Sequence, residues 1–397
     1  MRQNFVFTCE SVTEGHPDKL CDQISDGVVD RFLQHDPQSR AVVECAVANG
    51  IVFIASHFAS AAMVDVADVA RQVIAQVGYD DRNFNARSCT VMTSLTELGA
   101  ANRVAVDEAE LDDEGIERED ARHTANAFGY ACAYSPAMIP EPLWLAHKLA
   151  RRLAAVRLQR RARYLGPDAK VQVGVEFRDR VPHRVHSLTL ATSIASPDAP
   201  REGALRDALT ELVIGPAFVG EALQPDDDTR IFINPEGAAL AGGPTVHSGL
   251  TGRKNAVDTY GEYSRHSGAA LSGKDPSRVD RIGTYAARYA AKNVVAAGLA
   301  RECEVHLGYV IGQSRPLGVQ VETYGTGKVS DDEIAARLVR HLELRPAGIV
   351  AQFRLRRLPS LFRGGFFRRL AAYGHVGRLD IGLPWEQTDK AQLLAEG

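Results

Sequence analysis

The chain has 397 residues, with 46 Lys and Arg against 50 Asp and Glu, a formal net charge of −4. That balance excludes an ordinary nucleic-acid binder, which carries a basic excess, and no apolar run approaches membrane-spanning length. Six cysteines are scattered (9, 21, 45, 89, 132 and 303) with no C-x-x-C pair, so neither a zinc ribbon nor a disulfide framework is signalled.

The start, MRQNFVFTCE, has no apolar leader region, so a reducing, cytoplasmic setting is expected. The length implies two or three domains. In Phe7 to Asp30, FTCESVTEGHPDKLCDQISDGVVD, Pro17 fixes a turn, and the spacing of Leu20, Ile24 and Val28 predicts a helix beginning there. His16 and Asp18 then stand at a helix N-terminus, where an anion is welcome and a metal can bridge; a plain N-cap with Asp18 complementing the helix dipole is the competing reading. Residues 40–58 read as two strands joined by Asn49-Gly50, and 61–77 as a helix ending at Gly78. The run VDEAELDDEGIERED, ending at Asp120, holds nine acids against one arginine and reads as a mobile or solvated loop. Residues 143–165 read as a basic amphipathic helix with seven Lys or Arg on a solvated face. Strands at 171–177 and 185–194, a helix at 201–214, a strand at 230–233, a helix at 284–298 and a strand at 304–312 complete the pattern. Strict βαβ alternation is absent, so the fold class is α+β.

The densest chemistry lies in Gly249 to Asp280, GLTGRKNAVDTYGEYSRHSGAALSGKDPSRVD. Closely spaced glycines let backbone approach an anion, and Arg253, Lys254, Lys274 and Arg278 neutralise one with several charges. Asp258, Asp275 and Asp280 among them make sense if a divalent metal is shared with phosphates. The segment therefore reads as a site for polyphosphate and metal, most simply a nucleoside triphosphate. Gly268 to Lys274 also fits G-x-x-x-x-G-K, but Asp275 stands where a P-loop has Ser or Thr, and YGEYSRHS is no apolar strand.

Taken together, ESVTEGHPDKLCDQISD, GLTGRK, SGKDPS, YAARYAAKNVVAAGL, AAYGH and PWEQTDKAQLL resemble the S-adenosylmethionine synthetase family, from about Phe5 to Leu394 and thinly between Glu97 and Phe128. The resemblance implies three similar α+β domains with pseudo-threefold symmetry, expected at 4–102, 117–231 and 232–397. It implies displacement of the triphosphate of ATP at C5′, with hydrolysis of the tripolyphosphate before release. Lys170, Arg253, Lys254 and Lys274 match the residues that hold the leaving group, and His16 the one that bonds the oxygen bridging sugar and phosphate. Asp168 and Ala270 join them in the nucleotide set. Asp18 and Asp280, with Glu10 more weakly, match ligands of two magnesium ions, and Glu44 matches a potassium ligand. The site is expected between subunits of a homodimer or a dimer of dimers.

Seven matching positions depart from the family pattern. His57 and His247 replace acids that contact methionine, Leu98 replaces a glutamine, His123 stands opposite an aspartate, and Arg278 replaces a lysine. Ala238 and Ala239 replace a basic residue and an aromatic that packs on adenine. An acid-to-imidazole change removes negative charge facing an ammonium. These changes lead us to expect an acceptor other than methionine, anionic or lacking its amino group, with an ordinary methionine adenosyltransferase and a silent partner subunit as alternatives.

Overall fold

A computed structural model describes residues 3–104, 107–237 and 241–397. Ala238 and Ala239 lie outside the described residues. In chain order the elements that position the site are β1 (Phe5–Val12), α1 (Pro17–His35), β2 (Arg40–Ala48), β3 (Ile51–Ala59), α2 (Val66–Val77), β4 (Thr90–Glu97), α3 (Asp113–Arg118), β5 (Ala125–Cys132), α4 (Glu141–Leu158), β6 (Leu165–Arg178), β7 (Val181–Ile194) and α5 (Glu202–Leu209). They continue as α6 (Gly215–Phe218), β8 (Arg230–Ile233), β9 (Gly249–Leu250), α7 (Asn255–Asp258), α8 (Val279–Ala296), β10 (Glu302–Tyr309) and β11 (Gly318–Glu322).

Three times over, a sheet of three or four strands packs on one long helix. The sheet β4-β3-β2-β9 packs on α1, β1-β6-β7-β8 on α4, and β11-β10-β5 on α8. This is the α+β, three-domain arrangement expected. Yet the units exchange strands: β1 pairs with β6, β5 with β10, and β9 returns to β2. Residues from both ends of the chain thus meet at α1, whose side chains are almost all buried. Among the described residues no helix is long and apolar enough to cross a membrane.

The Asn49-Gly50 turn forms as expected, with Asn49 at φ 50°, and α2 ends on left-handed Gly78. Two expectations fail for physical reasons. The basic helix stops at Leu158, and Arg160 takes a left-handed φ of 60° that no helix accommodates. The acid-rich run is tied down rather than free, because remote arginines neutralise it. Arg356 grips buried Glu108 through Nε (2.6 Å) and Nη2 (2.9 Å), and Glu117 accepts from Arg315 and Arg345. Those guanidinium bonds hold the Glu117 carboxyl down at about 2.

The face of β4-β3-β2-β9 turned away from α1 is unusually apolar. Ile51, Phe53, Met92 and Leu250 are exposed there, with Phe53 opposite Ala46 on one side and Met92 on the other.

Candidate active site

Helix α1 organises the site through four aspartates spaced four apart. Side chains at i and i+4 stack on one helix face, and Asp18, Asp22, Asp26 and Asp30 are all buried. Each accepts a backbone N–H from a remote segment: Leu250 to Asp18 (3.1 Å), Gly252 to Asp22 (2.8 Å), Gly273 to Asp26 (2.8 Å), and Phe367 with Arg368 to Asp30 (3.0 and 2.9 Å). The glycine-rich segments are therefore moored to the helix, and β9 comes so close that a Cβ on Gly249 would lie 2.1 Å from the Pro17 carbonyl oxygen. The D-x-x-x-D spacing was visible in the sequence; its partners, some 230 to 340 residues away, were not.

At the N-terminus of α1, Lys254 Nζ lies 3.0 Å and Arg253 Nε 3.6 Å from the Asp18 carboxylate. The register between β6 and β7 shifts between Leu165 and Ala169, and such a shift re-aims a side chain. Asp168, in that stretch, accepts from Gly243 N (2.8 Å) and lies 2.7 Å from His247 Nε2. That contact raises the His247 pKa from its ordinary value, with burial opposing. The His16 ring stands 5.1 Å from the His247 ring and accepts a bond from Asp18 N at Nδ1 (3.2 Å). Burial pushes His16 down to about 4, Asp168 pulling the other way and Lys254 reinforcing the fall. His16, Asp18, Asp168, His247, Arg253 and Lys254 are thus brought together.

A second group forms where residues 273–275 run beside the start of β2. Val43 N donates to Gly273 O (2.7 Å), Asp275 N to Ala41 O (3.0 Å), and Lys274 pairs with Asp280 (2.9 Å). Burial lowers the Lys274 pKa, with Asp280 opposing. Arg278 contacts His123 Nε2, and burial followed by that guanidinium lowers the His123 pKa. Ala270 packs against the GLTGRK turn, where a Cβ on Gly252 would sit 2.4 Å from its own. Glu10 and Lys170 pair with each other on β1 and β6. Glu44 and His57 stand apart from both groups, on the outward apolar face of β2 and β3, and Leu98 is exposed just after β4.

Models of the S-adenosylmethionine synthetase N-terminal, central and C-terminal domains match residues 4–100, 118–239 and 241–387. The chain belongs to the S-adenosylmethionine synthetase family. Family membership makes it an ATP-using transferase. Proteins called S-adenosylmethionine synthase from Gloeothece citriformis and Synechococcus elongatus are 45% and 46% identical over 409 and 410 residues, covering 100% of this chain and 98% of each relative. One from Nostoc punctiforme is 44% identical over 409 residues, 100% of this chain and 96% of its own.

These full-length relatives overturn the expectation of a non-methionine acceptor and favour the ordinary methionine adenosyltransferase. The geometry explains why the electrostatic argument misled. Read as lost negative charge, the histidines at 57, 123 and 247 would all face one ammonium, but within a chain they are dispersed. His247 is matched by the Asp168 carboxylate, His123 lies against Arg278, and His57 sits on the outer face of β3.

Proposed function

We propose that the protein is a methionine adenosyltransferase that joins the 5′ carbon of ATP to the sulfur of L-methionine. The observation that carries this reading is the mooring of GLTGRK and SGKD to one face of α1, which presents Lys254 and Lys274 beside Asp18 and Asp280. Displacing triphosphate places large negative charge on the leaving group. Lys170, Arg253, Lys254 and Lys274 hold it, and such preorganised charges act most strongly in a water-poor site. With Nδ1 of His16 occupied by Asp18 N–H, its neutral ring carries the hydrogen on Nε2 and donates it to the oxygen leaving C5′. Asp168 accepts from the ribose.

Asp18 and Asp280 suit magnesium, which prefers oxygen donors and shares itself with phosphates. Each now faces a lysine, at 3.0 and 2.9 Å, that phosphate oxygens can draw away. When bound, two magnesium ions neutralise the polyphosphate, which is then hydrolysed before release. Glu44 would serve potassium. A homodimer, or a dimer of such dimers, is supported by the apolar face of β4-β3-β2-β9, which would bring Glu44 and His57 to the subunit boundary. We assign the enzyme to the cytoplasm. Purified protein with ATP, magnesium and potassium, with and without methionine, should form S-adenosylmethionine, phosphate and pyrophosphate only when methionine is present. Absence of S-adenosylmethionine from active, correctly folded protein would sink this reading.

A further inference from the structure

Away from the catalytic groups, a cavity of about 290 Å³ opens beside the C-terminal half of α1. Three segments wall it: Arg31 and Gln34 on α1, Gln72 and Gln76 on α2, and Arg363 and Arg368 in the turn at 363–368. Spacings of three and four residues put each helix pair on one face. Asp30 holds the turn against α1, its two carboxylate oxygens accepting from Phe367 N (3.0 Å) and Arg368 N (2.9 Å). Left-handed Gly364 and Gly365, at φ 87° and 96°, allow that approach, since a Cβ on Gly365 would lie 2.2 Å from the Asp30 carboxylate. None of Asp18, Lys254, Lys274 and Asp280 borders the cavity.

The charges of this wall are unbalanced. Arg281, Arg288 and Arg356, which are fully buried, each meet a carboxylate. Arg31, Arg363 and Arg368 pair with none among the described residues. Arg31 donates instead to the Gln72 amide oxygen (3.3 Å), while the nitrogen of that amide donates to Asp68 (2.6 Å). Arg368 likewise donates to the Gln76 oxygen. Asp30, the one acid in the wall, is taken up by backbone N–H groups, and burial pushes its pKa up to about 7. Burial lowers the Arg368 pKa, with Asp30 opposing, so a half-buried guanidinium is met only by a neutral amide. A desolvated charge without a counter-charge is costly, and the glutamine oxygens stand where anionic oxygens would. We propose that this cavity binds a small polyanion, its oxygens carried by phosphate or carboxylate groups, at a site separate from the polyphosphate site. Guanidinium forks match both kinds of group. Arg31 and Arg363 are exposed and leave the cavity open to solvent. Past Arg363 and Arg368 it widens into a groove of about 560 Å³, where Asp380 already matches Arg151 and Arg378. The unmatched charge therefore lies at the narrow end.

The test is binding, with pyrophosphate and citrate as the two probes. Each is titrated by calorimetry into full-length, magnesium-free protein at low salt. A probe that fits should occupy the cavity at one ion per chain, and added salt should weaken it. Arg31→Gln/Arg363→Gln should lower that affinity at least about tenfold, the scale of losing one hydrogen bond to a charged group. The variant should keep the parental circular dichroism spectrum, melting curve and rate of S-adenosylmethionine formation. Pyrophosphate also has a place at Lys274, so Lys274→Ala is the control and should leave the ion in the cavity bound. Loss confined to pyrophosphate assigns a phosphate ligand, loss confined to citrate a carboxylate one, and loss of both a site that reads charge alone. Neither probe bound by the parent, or affinities unaltered in the folded arginine variant, overturns the proposal.

Discussion

Replacing Lys19 by methionine tests whether the two halves of the site are held together electrostatically. Lys19 is fully buried and bonds Asp22 on its own helix (2.9 Å) as well as Asp258, which closes the segment carrying Arg253 and Lys254. Burial alone would lower the Lys19 pKa, but the two carboxylates outweigh it and hold the ammonium charged. In Lys19→Met, Asp22 keeps the N–H of Gly252, whereas Asp258 keeps no close cation, His375 Nε2 being 3.9 Å away. Removing one partner from a buried ion pair costs about 3–5 kcal/mol, because the other charge is stranded. We expect urea unfolding to report a loss in that range at pH 8. Lys19→Met/Asp258→Asn should recover part of it, since neighbouring effects couple rather than add. The single variant should also lose turnover, as the strap between α1 and residues 253–258 slackens. A loss under about 1 kcal/mol, or no recovery in the double variant, would refute the argument that a stranded carboxylate sets the cost.

Three further outcomes are expected. Lys274→Ala and Asp18→Asn should each lower S-adenosylmethionine formation at least about a hundredfold, the scale of losing one preorganised charge contact, and rates within threefold of the parent would remove them from the catalytic set. Gly273→Ala should melt lower by about 1–3 kcal/mol and lose turnover, because Gly273 has φ 79° and a Cβ would lie 2.0 Å from Val43 O, displacing Lys274; parental melting and kinetics would contradict this. Burial, aided by Glu221, pushes the Glu141 carboxyl up to about 8, so the folded state holds its proton more tightly than the unfolded chain. Its stability is greatest below the unfolded value near 4.5 and falls as pH rises to about 8, so Glu141→Gln should gain a few kcal/mol over the parent at pH 9 and nothing at pH 4, a difference that equal melts at both pH values would disprove.

Local signals in the sequence carried the elements whose causes are local. The Asn49-Gly50 hairpin, the Gly78 cap and the strands at 171–177 and 185–194 follow from turn chemistry and alternation. The end of α4 was hidden, because no glycine or proline marks residues 159–164 and the left-handed Arg160 gives no sequence cue. The acid-rich run was misread since its arginines stand at 315, 345 and 356, beyond any local window. At the candidate site, composition and spacing singled out groups that do meet, among them His16 with Asp18 and Lys274 with Asp280. The sequence could not show that His247 would lie 2.7 Å from Asp168. A charge taken without its partner pointed to the wrong acceptor.

The four aspartates of α1 also bear on how the site comes into being. Residues four apart in a helix are separated by about 6 Å along its axis, so Asp18 and Asp30 span roughly 18 Å. Along that length the helix meets chain from residues 250, 252, 273 and 367, which emerge long after it during synthesis. Contacts of such wide sequence separation form slowly. A nascent chain stalled before residue 250 carries buried-type carboxylates still facing water and no assembled anion cradle. Competence to bind a polyphosphate therefore waits on the docking of residues 250–273 along α1, making ligand affinity a reporter of that docking.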